Sequence, residues 1–143
     1  MSFIRSAMAP DDLARAEEAT EFMRATGLHF EEVSADKVTG WIDLGPQHHQ
    51  PMGIVHGGVY ASAIEQAASF GASFAAPEGY NVVGVNNSTN FIRAVSSGRV
   101  RLEGAPIQKG RTQQLWEIRI TSEADEKLVA IGQVRLANLP PRT

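Results

Sequence analysis

The chain has 143 residues, 43% of them hydrophobic and 20% charged, which suits one globular domain spanning residues 1–143 with its own core. A formal net charge of −3 and a pI near 5.8 give no general attraction to nucleic acid or to an anionic membrane, so any anionic ligand must be held by local basic groups. With no cysteine, disulfides, thiol nucleophiles and thiolate metal sites are excluded, and a cytoplasmic protein is expected.

The opening residues lack the apolar core of a signal peptide, and no run approaches the roughly 18 apolar residues of a membrane span. Pro10, Asp11 and Asp12 open a helical pattern with Leu13, Ala16, Phe22 and Met23 on one side, and Gly27 is placed to stop it. Residues 1–27 are therefore expected to supply one short amphipathic cover helix. The runs 28–33 and 37–44 are separated by Ser34-Ala35-Asp36 and suit a hairpin, which Gly45-Pro46 ends. A loop carrying Gln50 and His56 then leads to Gly57-Gly58. From Val59 to Phe74 the pattern is helical, until Ala76-Pro77-Glu78-Gly79 breaks it.

From Tyr80 onward the hydrophobic pattern changes to period two. Val100 and Leu102 alternate with Arg99, Arg101 and Glu103, and Trp116, Ile118 and Ile120 alternate with Glu117, Arg119 and Thr121. Breaks at Ser96-Ser97-Gly98, Lys109-Gly110 and 123–126 give four strands in a mostly antiparallel meander, and residues 138–143 read as a tail. The sum is α+β, a single curled sheet with one principal helix to wrap.

That helix carries the chemistry-bearing pattern. Between Val59 and Phe74 its only charged residue is Glu65, set among alanines, Ile64 and Phe70, so burial nearly all round is expected. Ser62, Glu65, Ser69 and Ser73 follow spacings of 3, 4 and 4 and share one stripe. A carboxylate in a dry seam costs several kcal/mol unless paired, and desolvation would raise its pKa toward the range useful to a base. The same stripe would equally serve as a solvent-facing edge, and composition alone leaves the two readings open.

Gly57 and Gly58 at the helix start leave backbone N–H groups sterically open at the positive end of the helix dipole, suited to polarising a carbonyl. The glycines would equally allow close packing. Gln50 could add an amide donor, and His56 could cap the helix or meet a ligand. Met52, Ile54, Tyr60 and Phe70 are candidates for an apolar pocket or for core. No cysteine or spaced carboxylate cluster accompanies His48-His49, so no metal site is expected.

The run from Gln50 to Ser69, QPMGIVHGGVYASAIEQAAS, closely resembles the loop and central helix of hotdog-fold acyl-CoA thioesterases. The nearest subgroup comprises the 4-hydroxybenzoyl-CoA, phenylacetate-pathway and enterobactin-pathway thioesterases. In that family a His-Gly-Gly turn is followed, nine positions after the histidine, by an acidic residue, and Glu65 stands nine positions after His56. The resemblance implies a hotdog fold in which Glu65 is nucleophile or general base and the Gly57 N–H polarises the thioester carbonyl. It also implies that Gln50 and His56 line the site and that Ser69 helps place water.

Asn90-Phe91-Ile92-Arg93-Ala94 is similar to the family's Asn-Phe-Leu-Arg-Pro strand, departing from it at Ala94. Lys109-Gly110-Arg111-Thr112 is similar to the turn that meets the CoA nucleotide and pantetheine arm. Asn90, Arg93, Lys109, Gly110 and Arg111 are thereby candidate CoA contacts, with Arg99 a further local charge. The implied substrate is an acyl- or aroyl-CoA, or an acyl carrier protein thioester, with no separate cofactor, since CoA belongs to the substrate. The implied assembly is a homodimer with its sites across the interface, paired further into a tetramer. A non-catalytic acyl-CoA-binding domain is the competing reading. An enoyl-thioester hydratase is a further one, though its Asp and His five residues apart are absent.

Overall fold

A computed structural model describes residues 10–142, and side-chain surroundings from Asp12 onward. The expectations for residues 1–9 lie outside the described residues.

The predicted cover helix is two helices, α1 (Pro10–Glu17) and α2 (Glu21–Thr26). The break comes at Thr20, whose hydroxyl accepts the Met23 N–H at 3.1 Å and so caps a new helix. Gly27 ends α2 in the left-handed conformation, φ 73°, as its position suggests. Leu13 is buried but Phe22 is exposed, so the single apolar face read across both segments does not exist. The hairpin follows as β1 (His29–Val33) and β2 (Val38–Leu44), and a short 3-10 turn occupies Pro46–His48.

The central helix α3 runs Gly57–Ala75 and is followed by β3 (Asn81–Phe91), β4 (Gly98–Lys109), β5 (Gln113–Ser122) and β6 (Leu128–Leu139). These strands form one sheet in the order β1-β2-β4-β5-β6-β3 with antiparallel neighbours. Only β4, β5 and β6 make a meander. β3 pairs with β6 at the far edge, and residues 92–97 cross to β4; period-two patterning marks a strand's faces, not its neighbours. β6 also claims Asn138 and Leu139 from the predicted tail, because Asn138 faces the core and Leu139 pairs with Asn81.

Four of the five strand pairs carry a register shift, among them one at Pro106, where a proline is tolerated, and one at Gly84. Bulges bend and twist strands, and here they curl the sheet around α3. The core is what the two layers share. Trp116, Ile118, Ile120, Val134 and Leu136 from the sheet meet Ala63, Ile64, Ala67, Ala68 and Ala72 from the helix, all fully buried. Gly71 brings the layers closest, since a Cβ there would lie 2.5 Å from the Trp116 ring. Among the described residues, no helix is long and apolar enough to cross a membrane.

Candidate active site

α3 begins at an N-terminus built by the residues before it. His56 is the N-cap, in extended backbone, and its Nδ1 accepts the Gly58 N–H at 2.8 Å. The ring nitrogen is thereby spent on capping, with the proton assigned to Nε2. Gly57 is the first helical residue, so no carbonyl one turn back inside the helix can accept its N–H. Its missing side chain is required sterically, because a Cβ would lie 2.6 Å from the Phe91 ring of β3. Both roles weighed for the glycines thus have a basis at Gly57: close packing against Phe91, and an open donor at the positive helix end.

The preceding loop is fixed by its backbone. Gln50 donates its N–H to Ile54 O at 2.9 Å and accepts from the Gly53 N–H at 3.0 Å, a turn for which Gly53 adopts φ 78°. The side-chain oxygen of Gln50 accepts the Met52 N–H, leaving its amide nitrogen as the end available to a ligand. Val55 and His56 donate to Val95 O and His48 O, at 2.9 and 2.8 Å. The two neighbouring histidines hold this region together. The buried His48 contacts Thr26 O at 3.1 Å through Nε2, and His49 contacts Ser96 O at 2.7 Å.

Gln50, Gly57, Tyr60 and Arg93 share the wall of one cavity of about 290 Å³, completed by Ile54, Val55, Phe91, Ile92 and Ala94. Of the pocket candidates, Ile54 and Tyr60 line it. Met52 is exposed, and Phe70 belongs to the core beside Phe30, ring centroids 4.8 Å apart. Tyr60 is only 3% exposed, and burial pushes its phenol up to about 12. Arg93 binds Asp125 through Nη2 at 2.7 Å. That hydrogen bond, with the Lys127 N–H, holds the Asp125 carboxyl down at about 2, and the pair raises the arginine in turn.

Glu65 stands eight residues beyond Gly57, roughly 12 Å along the helix and about 80° around it. It is exposed in the single chain, which corrects the expectation of burial all round. Glu65 and Ser73 are exposed, while Ser62 and Ser69 are half-buried along the same stripe. The Ser73 hydroxyl donates to Ser69 O at 2.7 Å. The Glu65 carboxyl rests over Gly84, about 3.8 Å from where a Cβ would be, at the bulge in β3. β3 is an edge strand, and Val83 and Val85 beside that bulge are exposed.

The candidate CoA contacts are not gathered by one chain. Asn90 lies beside Ser88, Glu117 and Gln133 on the outer sheet face, away from the helix. Lys109 pairs with Asp36 at 2.6 Å, and Arg111 is exposed on the turn between β4 and β5. Gly110 closes that turn, donating to Gln113 O at 2.8 Å. A polar network that the sequence reading missed fastens this turn to the far end of α3. Asn138 donates to Gly110 O and Arg111 O, at 3.1 and 3.2 Å. Gln114 donates to Ala72 O and to Asn138 Oδ1, at 3.0 and 2.9 Å, and accepts from Trp116 Nε1 at 2.8 Å. The available signal was the period-two register, which places Gln114 on the same face as Trp116. Ala72 is fifteen residues, roughly 22 Å of helix, from Gly57.

The model of the thioesterase superfamily matches residues 52–129, from the loop before α3 through to β6. A Mycobacterium tuberculosis protein named "Putative esterase Rv1847" is 44% identical over 138 residues, covering 94% of this chain and 97% of its own. Its solved structure superposes with a TM-score of 0.81 over 87% of this chain and 100% of that one, at 44% identity. The 1,4-dihydroxy-2-naphthoyl-CoA hydrolase of Listeria monocytogenes is 32% identical over 111 residues, 78% of this chain and 89% of its own. A Pseudomonas aeruginosa thioesterase structure, PA1618, is 25% identical with a TM-score of 0.87, covering 97% of this chain and 99% of that one. A curled antiparallel sheet around one helix, matched at this level to hotdog thioesterases, identifies the chain as a hotdog-fold member of the thioesterase superfamily, a thioester hydrolase.

Proposed function

We propose that the protein hydrolyses an acyl- or aroyl-CoA thioester to the free acid and CoA, in a site shared by two copies of the chain. The observation that carries this reading is the convergence of the Gly57 N–H and the Gln50 amide on one cavity, with Glu65 held away from it on the same rigid helix. Two donors on a carbonyl oxygen stabilise the oxyanion that forms when the carbonyl carbon is attacked. Each good donor lowers the barrier by about 2.7–4 kcal/mol in a water-poor site. Glu65 either takes a proton from the attacking water or attacks the carbonyl carbon itself; in both courses the C–S bond breaks and CoA leaves as the thiol after gaining a proton. Ser69, one turn beyond Glu65, is positioned to hold the water. His56 supports the donors by capping the helix.

A carboxylate and an oxyanion donor must both reach one thioester within hydrogen-bonding or attack distance, which the axial spacing in one chain opposes. The open edge of β3 offers a solution. Pairing β3 with a second copy, centred between Asn87 and Ser88, would set Gly84 and its neighbour Glu65 against the partner's Phe91 and the partner's Gly57. The two α3 helices would run in opposite directions, bringing the basic turn at Lys109, Gly110 and Arg111 toward the cavity end of the other copy. That turn is the proposed seat of the CoA nucleotide, whose phosphates suit Lys109 and Arg111. Arg93 is committed to Asp125 and to the cavity wall, so it serves the acyl side. Asn90, on the outer face, meets CoA only along the rim. Further pairing of dimers into a tetramer and a cytoplasmic setting complete the proposal.

The test is Glu65→Gln, assayed by release of free thiol from a panel of acyl- and aroyl-CoAs. A loss of about 10²–10⁴-fold in kcat with the fold and oligomer retained is expected. A near-wild-type rate would remove Glu65 from the chemistry, and binding without thiol release by the wild type would favour a non-catalytic acyl-CoA-binding domain.

A further inference from the structure

Taking the hydrolase reading as its basis, we infer that Tyr60, with Arg93, selects acyl groups that carry a second acceptor oxygen beyond the thioester carbonyl. Tyr60 lies three residues after Gly57, nearly one turn along α3, so its side chain continues the wall on which the thioester carbonyl would rest. It is 3% exposed, and its phenol oxygen has no hydrogen-bond partner among the described residues. Arg93 shares the wall. Its Nη2 is spent on Asp125, whereas its Nη1 is buried and has no partner among the described residues.

The cavity is therefore rich in donors. The one acceptor on the Gln50 side chain is taken by Met52, and the His56 Nδ1 is taken by Gly58. A thioester carbonyl uses the Gly57 N–H and the Gln50 amide, and Tyr60 Oη–H and Arg93 Nη1–H remain. A plain hydrocarbon acyl group would press against both and satisfy neither. An acyl group bearing a hydroxyl, keto or carboxylate oxygen would accept from them, and a site whose buried donors need a substrate oxygen discriminates against the analogue that lacks it. Because burial holds the phenol protonated to about 12, Tyr60 acts here as a donor and not as a base.

The experiment compares kcat/KM for matched probes, benzoyl-CoA against ring-hydroxylated benzoyl-CoAs and butanoyl-CoA against 3-oxobutanoyl-CoA, in wild type and Tyr60→Phe. In the wild type at least one oxygenated probe of each pair is expected to exceed its hydrocarbon partner about ten-fold or more. Tyr60→Phe keeps the ring and is expected to reduce that ratio about ten-fold. An unchanged ratio in Tyr60→Phe, with both members slowed alike, would assign the residue to packing and overturn the inference. Hydrolysis of all probes by the wild type without preference would overturn it without recourse to any variant and leave the hydrolase reading standing. Failure to hydrolyse any probe would instead bring down that reading, and the inference with it.

Discussion

The two ends of α3 treat their polar groups in opposite ways. At the C-terminal end, Gln114, Asn138, Trp116 and the Ala72 carbonyl satisfy one another in a closed network that also fastens the turn between β4 and β5. At the N-terminal end, the Gly57 N–H, the Gln50 amide nitrogen, the Tyr60 phenol and one arm of Arg93 are held in place by packing, with their donor capacity turned to a cavity. Both ends are equally part of the fold. A buried polar group that finds its partners within the chain specifies structure, and one held rigidly without them is prepared for a ligand.

This contrast can be broken at either end. At the open end, Gln50→Ala is expected to lower kcat by about 10²–10³-fold if its amide is one of two oxyanion donors, with stability nearly unchanged, because an exposed loop side chain contributes little to the core. A fall confined to KM would instead assign Gln50 to ground-state binding. At the closed end, Asn138→Ala should do the reverse. It strips the partner from Gln114 Nε2 and from two turn carbonyls, costing about 1–3 kcal/mol in urea unfolding. A variant as stable as the wild type would show the network to be ornamental.

A smaller effect sharpens the comparison through pH. Tyr60 has a folded pKa of about 12, raised by burial, against 10.0 for its ordinary value. The folded state thus holds the phenol proton more tightly than the unfolded state. The stability this contributes is fully present below about pH 10 and is lost as pH rises through about 12, at up to roughly 1.4 kcal/mol per pH unit. Alkaline denaturation of wild type and Tyr60→Phe should therefore diverge only in that window. Parallel curves would mean that the phenol is solvated.

Much of this was legible in the sequence because it depends on local chemistry. The change from helical to period-two patterning at Tyr80, the stop at Gly27 and the stripe through Ser62, Glu65 and Ser69 all survive in the fold. Strand order was not legible, since β3's preference for β6 over β4 arises from long-range pairing that side-chain alternation does not encode. The break at Thr20 lost to helical periodicity because one capping hydroxyl outweighs a weak apolar stripe. Asn138 sat in a segment whose closing prolines suggested a tail, yet its core-facing amide holds β6 in register to Leu139. The open stripe around Glu65 has a different cause. An apolar helix with one carboxylate predicts burial, and in the single chain that face adjoins the exposed edge of β3, where the second copy is proposed to pack.

The central claim is that Glu65 and the Gln50–Gly57 donors of one working site come from different copies of the chain. It is tested most directly by making a hybrid dimer of Glu65→Gln and Gln50→Ala chains with separable tags. If the site is shared, the hybrid contains one site with both groups intact and one with neither, and about half of the wild-type kcat per dimer returns from two weak parents. If each site lies within one chain, the hybrid shows only the mean of the two parent rates, and the shared-site account is wrong.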